Sequence, residues 1–187
     1  MENSFLRCEH ISRDDWDSLQ SFTSAHSDGG FLADYIKENA FLDEEEGFAR
    51  TYIVRDRESN DVVAYFSLKS GFVAINEEEG EEQTEFDSIP GVELSNFAVN
   101  GAYLTAHPTY KGLGKIVFFD FILPTISEAA KIIGIRFLYI FALPNKSLIA
   151  NYEKYGFSRL PLEDEKKMHS RIKPRYDEGC IFMYQSL

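Results

Sequence analysis

Two glycines, Gly112 and Gly114, stand one residue apart in "TYKGLGKIVFFDF" (109–121), directly ahead of a strongly apolar run. Glycine lets consecutive backbone N–H groups converge, and the first turn of a helix adds unpaired N–H groups and a favourable dipole. Lys111 and Lys115 flank the glycines and add positive charge. The stretch matches neither a Walker loop nor a G-x-G-x-x-G fingerprint. It therefore permits two interpretations, a phosphate or pyrophosphate cradle and a tight turn into a buried helix.

A second stretch that can do chemistry is "ALPNKSLIANYEKYGF" (142–157). Asn145 follows an apolar run that is typical of a buried strand, and Tyr152 comes seven residues later, two helical turns along on the same face. A tyrosine in this place can act as a general acid toward a thiolate or alkoxide leaving group. The structural alternatives are a helix cap for Asn145 and a core aromatic for Tyr152.

Together these stretches resemble the GCN5-related N-acetyltransferase (GNAT) superfamily. "NYEKYGF" is similar to the family's Y-E-K-x-G-F helix end, and "TYKGLG" is similar to its Q/R-x-x-G-x-G/A pyrophosphate loop. A strand ending in "FAV" precedes the loop, as in the family. Thr109 stands where the family usually has Gln or Arg, and the stretch from Val99 to Gly112 is several residues longer than usual.

The resemblance implies a reaction in which a primary amine attacks the thioester of acetyl-CoA directly and CoA leaves as a thiolate. It also implies that the pantetheine lies along a strand edge and that a backbone N–H group, at Ala98 or Val99, stabilises charge developing on the thioester carbonyl. Tyr152 becomes the candidate acid. The cofactor-binding residues carried over are Phe97, Ala98, Val99, Thr109, Lys111, Gly112, Leu113, Gly114, Lys115 and Asn145.

An alkylamine must lose a proton before it attacks, and a carboxylate or a water chain leading to one meets this need. Glu93, on the predicted strand "VELSNFAV" (92–99), is the candidate by position, and His107 beside the glycine loop is the other option. The alternatives are a surface carboxylate and a loop histidine. No spacing of His, Cys, Asp and Glu suggests a metal site.

The hydrophobic periodicity predicts the elements that position these residues. Ser12 and Asp15 form a plausible capping box, and Pro124 predicts a kink or break in the helix after the glycine loop. The order β-α-α-β-β-β-α-β-α-β-β predicts an α/β (α+β) fold with a mixed, mostly antiparallel sheet of about seven strands and helices on both faces. The predicted strands are 5–11, 49–56, 62–75, 92–99, 135–143, 157–162 and 180–187, and the predicted helices are 13–25, 31–42, 115–133 and 145–156.

Length and composition limit the function classes. A chain of 187 residues fits one domain over 1–187, and no apolar run reaches the roughly 18–20 residues of a membrane span. No secretory signal is visible and Cys8 and Cys180 suggest reduced thiols, so we expect a cytoplasmic protein. The net charge of −12 predicts that nucleic acid is an unlikely partner. The acidic runs 43–46 and 77–86 indicate solvated loops or a rim that attracts a cationic amine.

The predicted function is an acetyl-CoA-dependent N-acetyltransferase that modifies a primary amine of a small molecule or peptide. Two alternatives stay open. One is a toxin of a toxin–antitoxin pair that acetylates aminoacyl-tRNA, and the other is a non-catalytic acyl-CoA-binding regulatory module. The resemblance also makes a homodimer possible.

Overall fold

The computed structural model describes residues 1–76, 86–171 and 179–187, with side chains at all of these except 74–76, 86–88 and 167–171. The strands are β1 (Leu6–His10), β2 (Arg50–Asp56), β3 (Val62–Asn76), β4 (Phe86–Val99), β5 (Phe137–Ala142), β6 (Ser158–Arg159) and β7 (Ile181–Ser186). The helices are α1 (Trp16–Leu19), α2 (Gly30–Glu38), α3 (Ala40–Glu45), α4 (Gly101–Ala106), α5 (Leu113–Val117), α6 (Leu123–Ala130), α7 (Lys146–Lys154) and α8 (Leu162–Arg171).

The strands form one seven-stranded sheet in the order β1-β2-β3-β4-β5-β7-β6. β2 pairs antiparallel with β1 and with β3, and β7 pairs antiparallel with β5 and with β6. β4 and β5 run parallel, as a strand–helix–strand crossover requires. The predicted mixed, mostly antiparallel α/β sheet is therefore confirmed.

The described chain divides into two compact units, and both β3 and β4 run through each of them. The first unit contains residues 1–69 and 94–128, and the second contains 70–93 and 129–187. The prediction of one domain over 1–187 stays a prediction.

In the first unit, helices α1–α3 bury their apolar faces against one face of the sheet. Tyr65 of β3 is fully buried in this cluster, and its hydroxyl group donates to the carbonyl oxygen of Leu32 at 2.6 Å. Ala64 and Phe66, whose side chains point to the opposite face, are also fully buried, so the sheet is covered on both faces here. The other core residues are Ile11, Leu19, Phe22, Ala33, Ile36, Ala40, Ile53, Val62 and Ala98.

In the second unit, aromatic side chains of β5 and β7 form the core. Phe137, Tyr139 and Phe182 are buried together with Val73, and the rings of Tyr139 and Phe182 lie 5.7 Å apart between centroids. Partly buried residues extend this cluster at its margin, namely Ile89, Phe141, Leu160 and Tyr184.

The helices differ from the sequence-based expectation in two ways. The stretch 101–106, for which no helix is predicted, forms α4, and the stretch between the last two predicted strands begins with α8. The first predicted helix is short, since α1 ends at Leu19, although the carboxylate of Asp15 does accept the N–H of Ser12 at 2.7 Å as the capping box predicts.

Pro124 does not break the helix that follows the glycine loop. Helical backbone continues from Leu113 to Ala130, and a wider π-helical turn spans Phe118–Ile122 directly before the proline. Such a turn re-aligns the ladder where proline removes an N–H donor and crowds the preceding carbonyl. Of the predicted kink or break, the break is therefore wrong, and the effect of the proline appears as a local change of helical pitch.

Some expectations lie outside the described residues. They are residues 77–85 of the acidic run 77–86, and residues 172–178 between the last two predicted strands.

Candidate active site

The candidate pantetheine edge is the last part of β4, in the first unit. The ladder with β5 consists of the pairs from Gly91–Phe137 to Glu93–Tyr139, after which β4 runs on to Val99. The N–H of Asn100 donates to Val63 of β3 at 2.8 Å, and strand backbone groups alternate between the two edges. The N–H and C=O of Ala98 therefore point to β3, and those of Phe97 and Val99 point to the opposite edge.

The carbonyl of Val99 is already paired. It accepts the N–H of Ala25 at 3.1 Å, and Gly101 donates to Thr23 at 2.7 Å, so the segment 23–25 covers the end of this edge. Of the two candidate donors, the alternation favours the N–H of Val99 over that of Ala98. The side chain of Ala98 lies in the core.

Helix α4 occupies the stretch between β4 and the glycine loop. The Asn100 side chain caps it, accepting the N–H of Ala102 at 3.1 Å and donating to the carbonyl of Val62 at 2.7 Å. Tyr103 is buried and donates to the carboxylate of Asp56 at 2.6 Å. The extra length before the loop is thus an ordered helix anchored to the β2–β3 turn.

The glycine loop forms a backbone donor site at the start of α5. Gly112 has φ of +72°, a left-handed conformation that favours glycine, and nothing lies within 4 Å of the position its Cβ would take. Its carbonyl accepts the N–H groups of Lys115 at 2.9 Å and Ile116 at 3.1 Å. No acceptor among the described residues bonds the N–H groups of Lys111, Gly112, Leu113 and Gly114. This arrangement suits an anion.

The side chains around this turn are mostly exposed. Thr109, Lys111 and Lys115 are exposed, and the Lys115 ammonium lies 6.0 Å from the centroid of the Phe119 ring. Leu113 is buried and fixes the first helical turn to the core. The donors at this turn are main-chain groups, so the exposed side chain of Thr109 supplies none of them.

In the second unit, Tyr152 lies on the inner face of α7. The residue is 9% exposed, and its ring packs edge-on against Phe157 at 5.4 Å and against Tyr155 at 6.1 Å. No described residue accepts its hydroxyl proton. Burial raises the pKa of Tyr152 well above its ordinary value, so the hydroxyl group stays protonated at neutral pH.

Asn145 is the N-cap of α7. Its Oδ1 accepts the N–H of Ser147 at 3.0 Å, the N–H of Leu148 at 3.3 Å and the hydroxyl group of Ser147 at 2.7 Å. The structural alternative from the sequence, a helix cap, is therefore confirmed. A contact with the cofactor stays a prediction for Asn145.

Glu93 lies opposite Tyr139 in the β4–β5 ladder. The Tyr139 hydroxyl group donates to Oε2 of Glu93 at 3.4 Å, and Glu93 is half-buried. Gly71 of β3 makes room for this tyrosine, because a Cβ at residue 71 would overlap the hydroxyl oxygen and lie 2.9 Å from Cζ. A sequence pattern gives no sign of this contact, since an isolated glycine in a strand predicts only a bulge or a close approach.

His107, the other candidate base, terminates α4. Its imidazole ring lies 4.3 Å from the ring of Tyr103 and 5.7 Å from that of Tyr110, between centroids. It is thus part of the aromatic packing of α4 in the first unit.

The candidate residues are divided between the two units. The first unit holds the β4 edge and the donor turn, and the second holds Tyr152, Asn145 and Glu93. Sequence reasoning missed Tyr103, Asp56, Gly71 and Tyr139. An asparagine followed by Gly-Ala-Tyr-Leu-Thr-Ala is a typical helix start, and it is the signal that could have predicted α4.

No model of a known protein family matches the chain, whereas many solved structures share its architecture. It is similar to AtaTR bound with AcCoA, with a TM-score of 0.70 and 18% identity over 98% of this chain and 95% of that one. A tyrosine-to-phenylalanine mutant of KacT has a TM-score of 0.68 and 17% identity over 98% and 95%. AtaT complexed with acetyl-methionyl-tRNAfMet has a TM-score of 0.64 and 20% identity over 95% and 93%.

The chain has the GNAT fold. At these identities the likeness establishes the fold, which is the fold that the resemblance in "TYKGLG" and "NYEKYGF" implies. In the described ranges of this chain, no helix is long and apolar enough to cross a membrane. The same ranges contain no group of three or more His, Cys, Asp and Glu side chains placed to hold a metal ion.

Proposed function

We propose that the protein is an acetyl-CoA-dependent N-acetyltransferase of the toxin type, with the α-amine of an aminoacyl-tRNA as its acceptor. The observation that carries the cosubstrate assignment is the donor turn, where four consecutive N–H groups from Lys111 to Gly114 have no acceptor among the described residues. A pyrophosphate supplies acceptors for such donors, and the start of the helix adds a favourable dipole.

The β4 edge binds and orients the rest of the cosubstrate. Phe97 and Val99 direct backbone groups to the edge opposite β3, so an extended pantetheine chain pairs there much as a strand does. The N–H of Val99 donates to the thioester carbonyl as negative charge develops on it. Removing one such donor costs about 10²–10³ in kcat in enzymes where this has been measured.

Tyr152 supplies the proton that the departing sulfur needs. When bound, acetyl-CoA provides a thioester carbon that the amine nitrogen attacks, and the C–S bond breaks as the C–N bond forms. The Tyr152 hydroxyl group, whose pKa burial raises, donates its proton to the thiolate.

Glu93 receives the proton that the amine loses. An ammonium has no lone pair, so the nitrogen must be deprotonated before or during attack. The Tyr139 hydroxyl group holds Glu93 through the 3.4 Å contact, and the lack of a side chain at Gly71 leaves room for the tyrosine in this position. A carboxylate oriented in this way accepts the proton directly or through one water.

The acceptor assignment is supported by the comparisons. The similar structures include AtaT complexed with acetyl-methionyl-tRNAfMet, and the similarity extends over 95% of this chain. This support favours the toxin alternative over the small-amine prediction made from sequence. A small or peptide amine is the second candidate, favoured by the net charge of −12, which attracts a cationic acceptor.

A thiol-release assay with two acceptors tests the proposal. We expect acetyl-CoA to raise the melting temperature, because a ligand that binds only the native state stabilises it. We expect CoA release with an aminoacyl-tRNA and much slower release with free amino acids, polyamines and peptides. Release with small amines alone would support the second candidate. A melting-temperature shift without release to any amine would identify a non-catalytic acyl-CoA-binding module.

A further inference from the structure

The net charge of the chain is distributed unevenly. Residues 129–159 contain five basic side chains and a single carboxylate, Glu153, whereas the whole chain has 19 basic and 31 acidic residues. The five basic residues are all exposed, and they are Lys131, Arg136, Lys146, Lys154 and Arg159. Phosphates respond to the local field within about a Debye length, roughly 8–10 Å, so the mean charge of a chain does not decide whether nucleic acid binds.

Three of these cations, Arg136, Lys146 and Lys154, form no ion pair with any described residue, and we call them the basic patch. Arg159 is left out because it pairs with Glu165 at 3.3 Å. The two lysines are exposed on α7, whose inner face buries Tyr152.

Arg136 and Lys154 lie at the same end of the second unit. Arg136 precedes β5, and its carbonyl accepts the N–H of Leu187 at 3.1 Å. α7 ends over this part of the sheet, since a Cβ at Gly156 would lie 3.3 Å from Oε1 of Gln185, the partner of Leu138 in β5. The basic patch therefore follows the outer surface of α7 to the start of β5.

We propose that the basic patch binds the phosphate backbone of the nucleic-acid acceptor. The inference rests on the proposed function, because it assigns a surface to the tRNA that carries the aminoacyl group. Lys and Arg that neutralise phosphates release condensed counterions, which makes the affinity depend strongly on salt.

The test compares two triple variants with the same change in net charge. One is Arg136→Gln, Lys146→Gln, Lys154→Gln, and the matched control is Arg13→Gln, Lys37→Gln, Arg57→Gln in the first unit. Binding of deacylated tRNA is measured from 50 to about 200 mM salt. We expect the patch variant to bind at least about tenfold more weakly, with the slope of log K against log salt reduced by about 2, since each phosphate contact contributes about 0.7–0.9. The control should match the wild type.

A second readout separates this inference from the proposed function. An aminoacyl ester that carries no RNA should be acetylated equally by the wild type and both variants, because the basic patch does not touch the reacting atoms. The inference would be overturned if the wild-type protein binds tRNA and the patch substitutions leave that binding unchanged. The inference would also be overturned if the wild-type protein acetylates the ester but does not bind tRNA. That result would leave the acetyl-transfer activity supported. Patch-dependent tRNA binding without acetylation of any amine would contradict only the proposed function.

Discussion

The hydroxyl group of Tyr103 donates a 2.6 Å hydrogen bond to Oδ2 of Asp56, and both residues are buried. The other carboxylate oxygen accepts the N–H groups of Glu58 at 2.8 Å and Ser59 at 3.2 Å, so Asp56 also organises the β2–β3 turn. Tyr103 belongs to α4, which leads into the donor turn at 111–114. One carboxylate thus ties the lengthened segment before the donor turn to the sheet.

Tyr103→Phe should lower the free energy of unfolding by about 1–3 kcal/mol, because it leaves a buried carboxylate oxygen without its partner. Denaturant unfolding measures this loss. Tyr110→Phe is the matched control, since Tyr110 is 40% exposed and its ring packs against the same Tyr103. Equal stability of the two variants would contradict the anchoring role.

The stability of the protein should depend on the ionisation of Asp56. The hydrogen bond from Tyr103, together with those from the turn, lowers the pKa of Asp56 below its ordinary value. A carboxyl group with a lowered pKa in the folded state contributes stability above the unfolded-state pKa of about 3.9, and this contribution is lost as the pH falls through the folded-state pKa. Unfolding measured between pH 6 and pH 2 should therefore show a shallower acid loss in Asp56→Asn. An unchanged pH dependence in this variant would show that the ionisation of Asp56 does not contribute to the stability.

Gly112→Ala should weaken acetyl-CoA binding, because alanine disfavours the left-handed φ of +72° that directs the loop N–H groups. The backbone strain alone costs about 1–2 kcal/mol. Gly47→Ala is a control for strain, since Gly47 also has a positive φ of +76° and open space around its Cβ position. We expect both variants to lose similar stability, and only Gly112→Ala to lose the acetyl-CoA-dependent shift in melting temperature. Loss of the shift in both variants would mean that strain is transmitted globally.

Gly71→Ala should destabilise the second unit by overpacking Tyr139, at a cost of about 1–3 kcal/mol. Tyr139→Phe removes the hydroxyl oxygen that overlaps the new Cβ, so the double variant should lose less than the sum of the two single variants. Thermal unfolding of the four proteins completes the double-mutant cycle. Strict additivity would show that residue 71 does not hold Tyr139.

Tyr152→Phe should lower kcat by about 10²-fold or more, the usual contribution of a general acid, while the acetyl-CoA-dependent shift in melting temperature persists. Phenylalanine keeps the packing against Phe157 and Tyr155, so the fold should be retained. Tyr155→Phe on the same helix is the control and should retain wild-type turnover. A wild-type kcat in Tyr152→Phe would remove Tyr152 as the proton donor.

The sequence predicted those parts of the fold that local chemistry determines. Residue composition predicted the strands, which are runs rich in apolar, β-branched and aromatic residues at 49–56, 62–75 and 135–143. Periodicity, capping and glycine conformation predicted the helix at 145–156 and the turn at Gly112. The order of the strands in the sheet was not predicted, because periodicity carries no information about which strands pair. α4 was missed although Asn100 is a typical N-cap residue, because so short a helix also depends on contacts of Asn100 and Tyr103 with distant residues.

For the candidate site, residue type and spacing found Gly112, Asn145 and Tyr152, but they could not show which backbone groups are available. The alternation of β4, which directs Val99 and not Ala98 to the edge opposite β3, depends on the Asn100–Val63 hydrogen bond. The contact between Glu93 and Tyr139 depends in the same way on a parallel register and on the space at Gly71.

The proposed reaction of the protein is the transfer of an acetyl group to the α-amine of an aminoacyl-tRNA. It is tested most directly by CoA release with three substrates: aminoacyl-tRNA, the same tRNA with its α-amine chemically blocked, and deacylated tRNA. We expect release with the first alone, with the acetyl group recovered on the amino acid. Absence of release with aminoacyl-tRNA, under conditions where acetyl-CoA stabilises the protein, would contradict it.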